Sequence, residues 1–350
     1  MLQLDIIKCY NYAKANKKTA GNKEIKEHLE QEMEGVSRIT VLRDIEKLLD
    51  ANLIAKEGRG RSVRYGEIIS NNALRYVDVE KYFEKTVDER KNVFEQFNFD
   101  LFKTLKHLFS GAELSELNKL NDEYRKRVKK MSRTSLFREF ERLTIELSWK
   151  SSHIEGNTYS LIDTEILIKD KKEAQGHKKE EAVMIWNHKT AFDYVLGNRN
   201  NFKEISISKI ENIQKLIASD LCVGFGIRKR PVGIIGTRYL PLNNEHQIRE
   251  ALERMVKLVN KIKDPFSKAV LSAALISYIQ PFEDGNKRTA RIVADAILLA
   301  YDICPLSYRS IDESEYKKSV ILFYEQNNIR FFKELFIEQF KFAVKNYFLG

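Results

Sequence analysis

The residues best equipped for chemistry lie in one stretch, Gln280-Pro281-Phe282-Glu283-Asp284-Gly285-Asn286-Lys287-Arg288-Thr289-Ala290-Arg291. Gly285 and Asn286 tolerate positive φ, so successive backbone N–H groups there can converge on an anion. Lys287 or Arg288 is expected to start a helix whose N-terminus favours a phosphate. Arg288 and Arg291 are three apart, share a face and can grip neighbouring phosphates. Asp284, just before the turn, is placed to hold Mg²⁺ between phosphate oxygens. Gln280 stands where a proton acceptor would help, and its amide orients a hydroxyl but takes no proton. The stretch reads as a phosphate cradle with one part changed.

Two buried helices must hold this cradle. Ser267 to Ile279 is apolar almost all round, which marks a central helix, and Pro281 stops it. Phe282 can plug the turn into the core. The next helix carries Ile292, Val293, Ile297 and Leu298 inward.

The stretch resembles the Fic (Fic/Doc) family motif, His-x-Phe-x-Asp/Glu-Gly-Asn-Gly/Lys-Arg-x-x-Arg, at every fixed position except the first, where this chain has Gln280. The resemblance implies a mainly α, Fic-type helical domain. It also implies transfer of AMP from ATP to a Ser, Thr or Tyr hydroxyl of a target protein. Residues 228–241 look like the family's β-hairpin flap, with Val232, Ile234, Gly236 and Thr237 holding a target segment by strand pairing. The helices from Ile205 to Ser219 and from Gln247 to Ile262 fit the surrounding bundle, and the match covers about residues 140–340. Upstream, Ser151-Ser152-His153-Ile154-Glu155-Gly156 looks like the inhibitory motif of autoinhibited members. Carried over, Glu155 pairs with Arg291 and displaces the γ-phosphate, and Ser151 supports that helix. The alternative is a structural ion pair of modest value.

In the family the histidine takes the target's proton. Losing a general base typically costs about 10²–10⁴-fold in rate. The cradle and Asp284 are untouched by the change, so ATP and Mg²⁺ binding are expected to survive it. Three readings follow. The first is an ATP-binding regulator with weak or no AMP transfer. The second is an active adenylyltransferase autoinhibited by Glu155, and the third is a purely structural module.

Residues 1–69 form a different unit. Leu2, Leu4, Ile6, Ile7 and Tyr10 begin one amphipathic helix, Thr19-Ala20-Gly21-Asn22 caps a second over Lys23 to Glu30, and Glu34-Gly35-Val36 turns the chain. Ser37 caps a third helix with Ile39, Leu42, Ile45, Leu48 and Leu49 on one face. Two strands follow, Leu53 to Glu57 and Ser62 to Tyr65, around Gly58-Arg59-Gly60-Arg61. The run resembles bacterial winged-helix repressors of the DeoR type, which implies binding to double-stranded DNA. Arg38, Thr40, Arg43 and Lys47 would face a major groove, and Lys56, Arg59, Arg61 and Arg64 would make the wing basic. Thirteen Lys and Arg stand against eleven Asp and Glu here, so charge is concentrated at the wing rather than spread. In the other reading the winged helix serves protein contact, giving a homodimer.

Residues 70–139 read as a helical connector with an aromatic stripe, Tyr76 to Phe109, in the core. Its basic run Arg125, Lys126, Arg127, Lys129, Lys130 and Arg133 reads as a solvated face. Residues 140–350 form the Fic domain, with its core at about 205–340. The net charge of +10 permits an anionic partner without proving one. Cys9, Cys222 and Cys304 lack CxxC spacing and read as reduced thiols of a cytoplasmic protein. The six histidines form no ligand pair, which argues against a structural metal site, and no apolar run is long enough to span a bilayer.

Overall fold

The structure is a computed structural model that describes residues 19–32, 37–50, 54–67 and 71–349. The helix expected from Leu2, the Glu34-Gly35-Val36 turn, Leu53 and Cys9 lie outside these residues, and so does the side chain of Arg61. The chain divides into two compact units, Met1–Tyr76 with Phe109–Ser115, and Val77–Leu108 with Glu116–Gly350. The expected connector at 70–139 is thereby shared between both.

The first unit contains β1 (Thr19–Gly21), α1 (Asn22–Glu32), α2 (Arg38–Asp50), β2 (Ile54–Glu57) and β3 (Arg64–Glu67). The strands form an antiparallel sheet in the order β1-β3-β2, with Ala20 opposite Tyr65 and Lys56 opposite Tyr65 on the other side. Thr19 to Gly21, expected to be a helix cap, is thus a strand as well. Ser37 does cap α2, its Oγ accepting from Thr40 N at 3.1 Å. The buried stripe of α2 is Val41, Ile45 and Leu48, packed on Ile25, Leu29, Ile54 and Tyr65. Ile39 is not part of it: two residues before Val41 is roughly 200° around a helix, and Ile39 is 77% exposed. Arg64 does not belong to the wing tip, because its guanidinium donates to Thr19 O and pairs with Glu24.

The second unit is helical: α3 (Val79–Phe83), α4 (Leu101–Thr104), α5 (Gly111–Lys130, from Glu116 onward), α6 (Arg133–His153), α7 (Leu161–Asp170), α8 (Lys179–Gly197), α9 (Ile207–Ile217), α10 (Glu245–Lys261), α11 (Pro265–Ile279), α12 (Asn286–Ala300), α13 (Glu313–Gln326) and α14 (Arg330–Asn346). Helix α11 starts where Asp264 accepts hydrogen bonds from Phe266 N and Ser267 N with Pro265 in the first turn, and every residue after Pro265 is buried. It packs along α12, and α10, α13 and α14 close around it. Arg125 and Arg127 are not merely solvated. Arg125 donates to Tyr301 O and Asp302 O at the end of α12, and Arg127 donates to Val344 O.

Residues 228–240 depart from the expected hairpin. They carry no paired strands, and the bridge found there joins Leu240 to Gln96, with Leu240 N donating to Glu95 O at 2.8 Å. The segment keeps a period of two nonetheless: Val232, Ile234 and Gly236 are half-buried, while Pro231, Gly233 and Ile235 are exposed. No helix among the described residues is long and apolar enough to cross a membrane.

Candidate phosphate-binding site

The site is built at the break between α11 and α12. Helix α11 ends on Gln280, which adopts φ 49°, and α12 begins after Gly285 at φ 78°. Both lie in the left-handed region, and glycine takes it without a Cβ clash. Asn286 takes no positive φ and is instead the first residue of α12. Its side chain accepts from Phe282 N and donates to Phe282 O, each at 2.9 Å, so an amide brace closes the loop. Phe282 is fully buried beneath the loop.

Arg228 holds the loop from the other side. Its backbone N donates to Pro281 O, and its buried guanidinium donates to Gln280 O at 2.7 Å, Arg230 O at 2.7 Å and Leu242 O. The Gln280 amide donates to Ser277 O at 2.6 Å and lies 3.4 Å from Tyr324 Oη. Tyr324 stands beside Tyr239 and Tyr278, which stack at 4.7 Å. Burial pushes the Tyr324 phenol well above its ordinary value, so it stays protonated and supplies no base in place of Gln280.

The segment before α4 crosses the same region. Glu325, fully buried, pairs with Arg90 and accepts from Tyr82 Oη at 2.6 Å, and Arg90 Nη1 also donates to Gly236 O. Asn98 N donates to Tyr278 Oη, and Phe97 stacks on that ring at 4.6 Å. The aromatic stripe is therefore partly core and partly a wall of this site, with Phe94 left 43% exposed.

The cations face inward. Arg288 is 2% exposed and Arg291 0%. Arg288 Nη2 donates to Asp284 Oδ2 at 2.6 Å, which leaves its buried Nη1 without a partner among the described residues. Arg291 Nη1 and Thr289 Oγ1 are likewise buried and unpartnered. Unpaired buried donors on one helix turn are costly unless an acceptor comes to them.

Glu155 lies across this cluster. Helix α6 ends at His153, Gly156 takes φ 97°, and Asn157 N turns back onto Ser152 O, so Glu155 projects from a closed helix end. Its Oε1 accepts from Arg291 Nη2 at 2.9 Å and its Oε2 from Lys287 Nζ at 3.2 Å. Burial alone would raise its pKa, but the charges of Arg291 and Lys287 outweigh that and hold it below the usual carboxylate range. Ser151 Oγ and O take Arg291 Nε and Nη2 at 2.6 and 2.8 Å. The expected pairing of Glu155 with Arg291, and the place of Ser151 beside it, are thus present in the geometry. Lys287 as a second partner of Glu155 lies outside the expected set, and so does Arg228 as the brace of the loop. For these the sequence offers no local signal.

Asp284, Gly285, Asn286, Lys287, Arg288 and Arg291 come together here. Val232, Ile234, Gly236 and Thr237 lie on the segment that Arg228 and Arg90 tie to the site. Arg38, Thr40, Arg43, Lys47 and Arg59 belong to the first unit.

A helical domain with a loop and two inward-facing arginines between two buried helices is the class this arrangement defines. Residues 204–298 match the family model described as "Fic/DOC family". A protein adenylyltransferase Fic from Nematostella vectensis is 28% identical over 177 residues, covering 48% of this chain and 40% of that protein. The chain thus spans less than half the length of that relative. Among solved structures, Fic-1 from C. elegans superposes with a TM-score of 0.58 at 22% identity, covering 67% of this chain and 70% of that one. A Fic family protein from Desulfovibrio desulfuricans gives 0.56 at 19%, covering 68% and 74%. A Fic domain containing signaling protein from Bacteroides thetaiotaomicron gives 0.54 at 20%, covering 65% and 95%. At these identities the superpositions speak for the fold.

Proposed function

We propose that this chain binds ATP in its Fic/DOC domain, transfers AMP weakly or not at all, and joins that domain to a DNA-binding winged helix. One observation carries the first part. Two buried arginines in the first two turns of α12 each present an Nη1 that is unpartnered among the described residues, as is Thr289 Oγ1, while the adjoining acceptor position holds Gln280. A polyphosphate supplies the oxygens these donors lack. Asp284, 52% exposed at its side chain, is the residue to hold Mg²⁺, which when bound would neutralise phosphate charge. The Gln280 amide can fix a hydroxyl but cannot accept its proton. Glu155 occupies Lys287 and Arg291, two of the cations a triphosphate needs, and so restrains nucleotide binding until it withdraws. A protein segment would lie along Val232 to Thr237, where alternate side chains face outward.

The winged-helix part, residues 1–69, rests on the β1-β3-β2 sheet behind α2 and on charge. Arg38 and Arg43 are exposed on α2, Lys56 and Arg59 are exposed at the hairpin, and Arg38 lines a 950 Å³ groove with Lys23 and Lys26. Such a face neutralises phosphates. A cytoplasmic location belongs to the same proposal, and Cys222 and Cys304 are free thiols.

The adenylyltransferase in the comparison favours a second reading, an active but autoinhibited enzyme. Transfer from labelled ATP decides between them, measured for the wild type, Gln280→His and Gln280→His/Glu155→Gly. The first reading expects ATP·Mg²⁺ binding by all three and label about 10²–10⁴-fold slower in the wild type than in the doubly substituted protein. Equal, fast labelling by all three would refute the first reading and, being indifferent to Glu155, the autoinhibition as well.

A further inference from the structure

We propose that His188 is a positioning residue for Arg291, acting through Ser151. This rests on the nucleotide-binding reading above and adds to it the group that aims the phosphate-facing arginine.

His188 lies on α8, fully buried, outside the motif and the inhibitory segment. Its Nε2 is 2.5 Å from Ser151 Oγ, and that oxygen is 2.6 Å from Arg291 Nε. The direction of the second bond follows from the groups. A guanidinium has no acceptor, so Arg291 Nε donates to Ser151 Oγ. Ser151 Oγ keeps a second lone pair and its own hydrogen for His188 Nε2, so it can bond the neutral imidazole in either tautomer while accepting from Arg291. Burial, with Arg291 and Arg288 nearby, disfavours the imidazolium.

The consequence concerns which part of the hold on Arg291 can be released. Glu155 takes one hydrogen bond from Nη2 and can withdraw. Ser151 takes Nε and also Nη2, and His188 fixes the hydroxyl that does so. Removing Glu155 thus leaves both bonds from Arg291 to Ser151 in place, beside a buried Nη1 that has no hydrogen-bond partner among the described residues. A glutamine at 188 can place an amide oxygen near the Nε2 position and accept from Ser151. An asparagine reaches only the Nδ1 position. A side chain that merely fills space makes no such distinction.

The experiment uses the full chain in the Glu155→Gly background, adding His188→Gln, His188→Asn, Ser151→Ala and the His188→Asn/Ser151→Ala pair. Two quantities are read: hydrogen exchange of the Arg291 Nε–H by NMR without nucleotide, and ATP·Mg²⁺ affinity by calorimetry. The expected result is a protected Nε–H in the parent and in His188→Gln, and fast exchange in His188→Asn and Ser151→Ala. Affinity should fall about tenfold for His188→Asn and about two- to threefold at most for His188→Gln, with the paired substitutions no worse than either single one. An Nε–H equally protected in His188→Asn, or losses that add in the pair, overturns the relay. A parent that shows a protected Nε–H but binds no ATP instead overturns the nucleotide reading, and the exchange data still decide the relay.

Discussion

Replacing Glu155 with glutamine should make the nucleotide-free protein less stable and its ATP affinity greater. The side chain keeps its shape and loses its charge. In the wild type that charge faces Arg291 Nη2 at 2.9 Å and Lys287 Nζ at 3.2 Å. Breaking a buried pair from one side typically costs about 3–5 kcal/mol. Here the cost is smaller, since the Glu155 side chain is 19% exposed and Arg291 keeps both of its bonds to Ser151. About 1–2 kcal/mol is expected. The same interaction opposes an incoming phosphate, so its loss should tighten ATP·Mg²⁺ binding about tenfold, at 1.4 kcal/mol per decade. Urea unfolding without nucleotide and calorimetry with it measure the two sides. The pH dependence has a definite sign. Glu155 titrates below the usual carboxylate range, so the pair's contribution is present above the unfolded pKa of about 4.3 and disappears as pH falls through the folded value. The difference between wild type and Glu155→Gln should therefore persist undiminished from pH 8 to 5. Unchanged stability together with unchanged or weaker ATP affinity would refute the competition between Glu155 and phosphate.

Two other outcomes are expected. His188 has a depressed pKa from burial and from Arg291 and Arg288, so the unfolded chain binds the extra proton below about pH 6.5; stability should drop as pH falls through that window, by up to about 1.4 kcal/mol per unit, and the drop should flatten in His188→Gln, as denaturation from pH 7.5 to 5.5 would show. For the first unit, affinity for a duplex obtained by selection should fall steeply with salt, and Arg43→Ala or Arg59→Ala should each lessen that slope by about one; a flat salt response removes the phosphate contacts.

The parts of the site that could be read along the chain are those made by neighbours. Gly285 in the left-handed region, the halt of α11 at Gln280 before Pro281, and the buried sides of α11 and α12 all follow from residues within one or two turns. So does the Ser37 cap of α2. Pairing of Glu155 with Arg291, 136 residues apart, was legible through a motif resemblance rather than through local physics. Local patterns mislead where they are ambiguous. Resemblance to the family's flap suggested a hairpin at 228–241, yet the segment keeps only an alternation of half-buried and exposed residues, which does not itself pair a second strand. The apolar Ile39 points away from the buried face of α2, because hydrophobicity alone does not mark which side of a helix meets the core.

By itself, the sequence determined that a turn between two buried helices would be followed by two arginines three residues apart and that no base would stand at position 280. Backbone preference and side-chain chemistry are properties of the residues, wherever the chain goes. Only the tertiary structure decided that Lys287 would share Glu155, that Arg228 would grip Gln280 O from 52 residues away, and that His188 would meet Ser151 across 37. Those contacts depend on how α6, α8 and α12 pack. Long-range packing is set by the whole core at once, and no short window of sequence contains it.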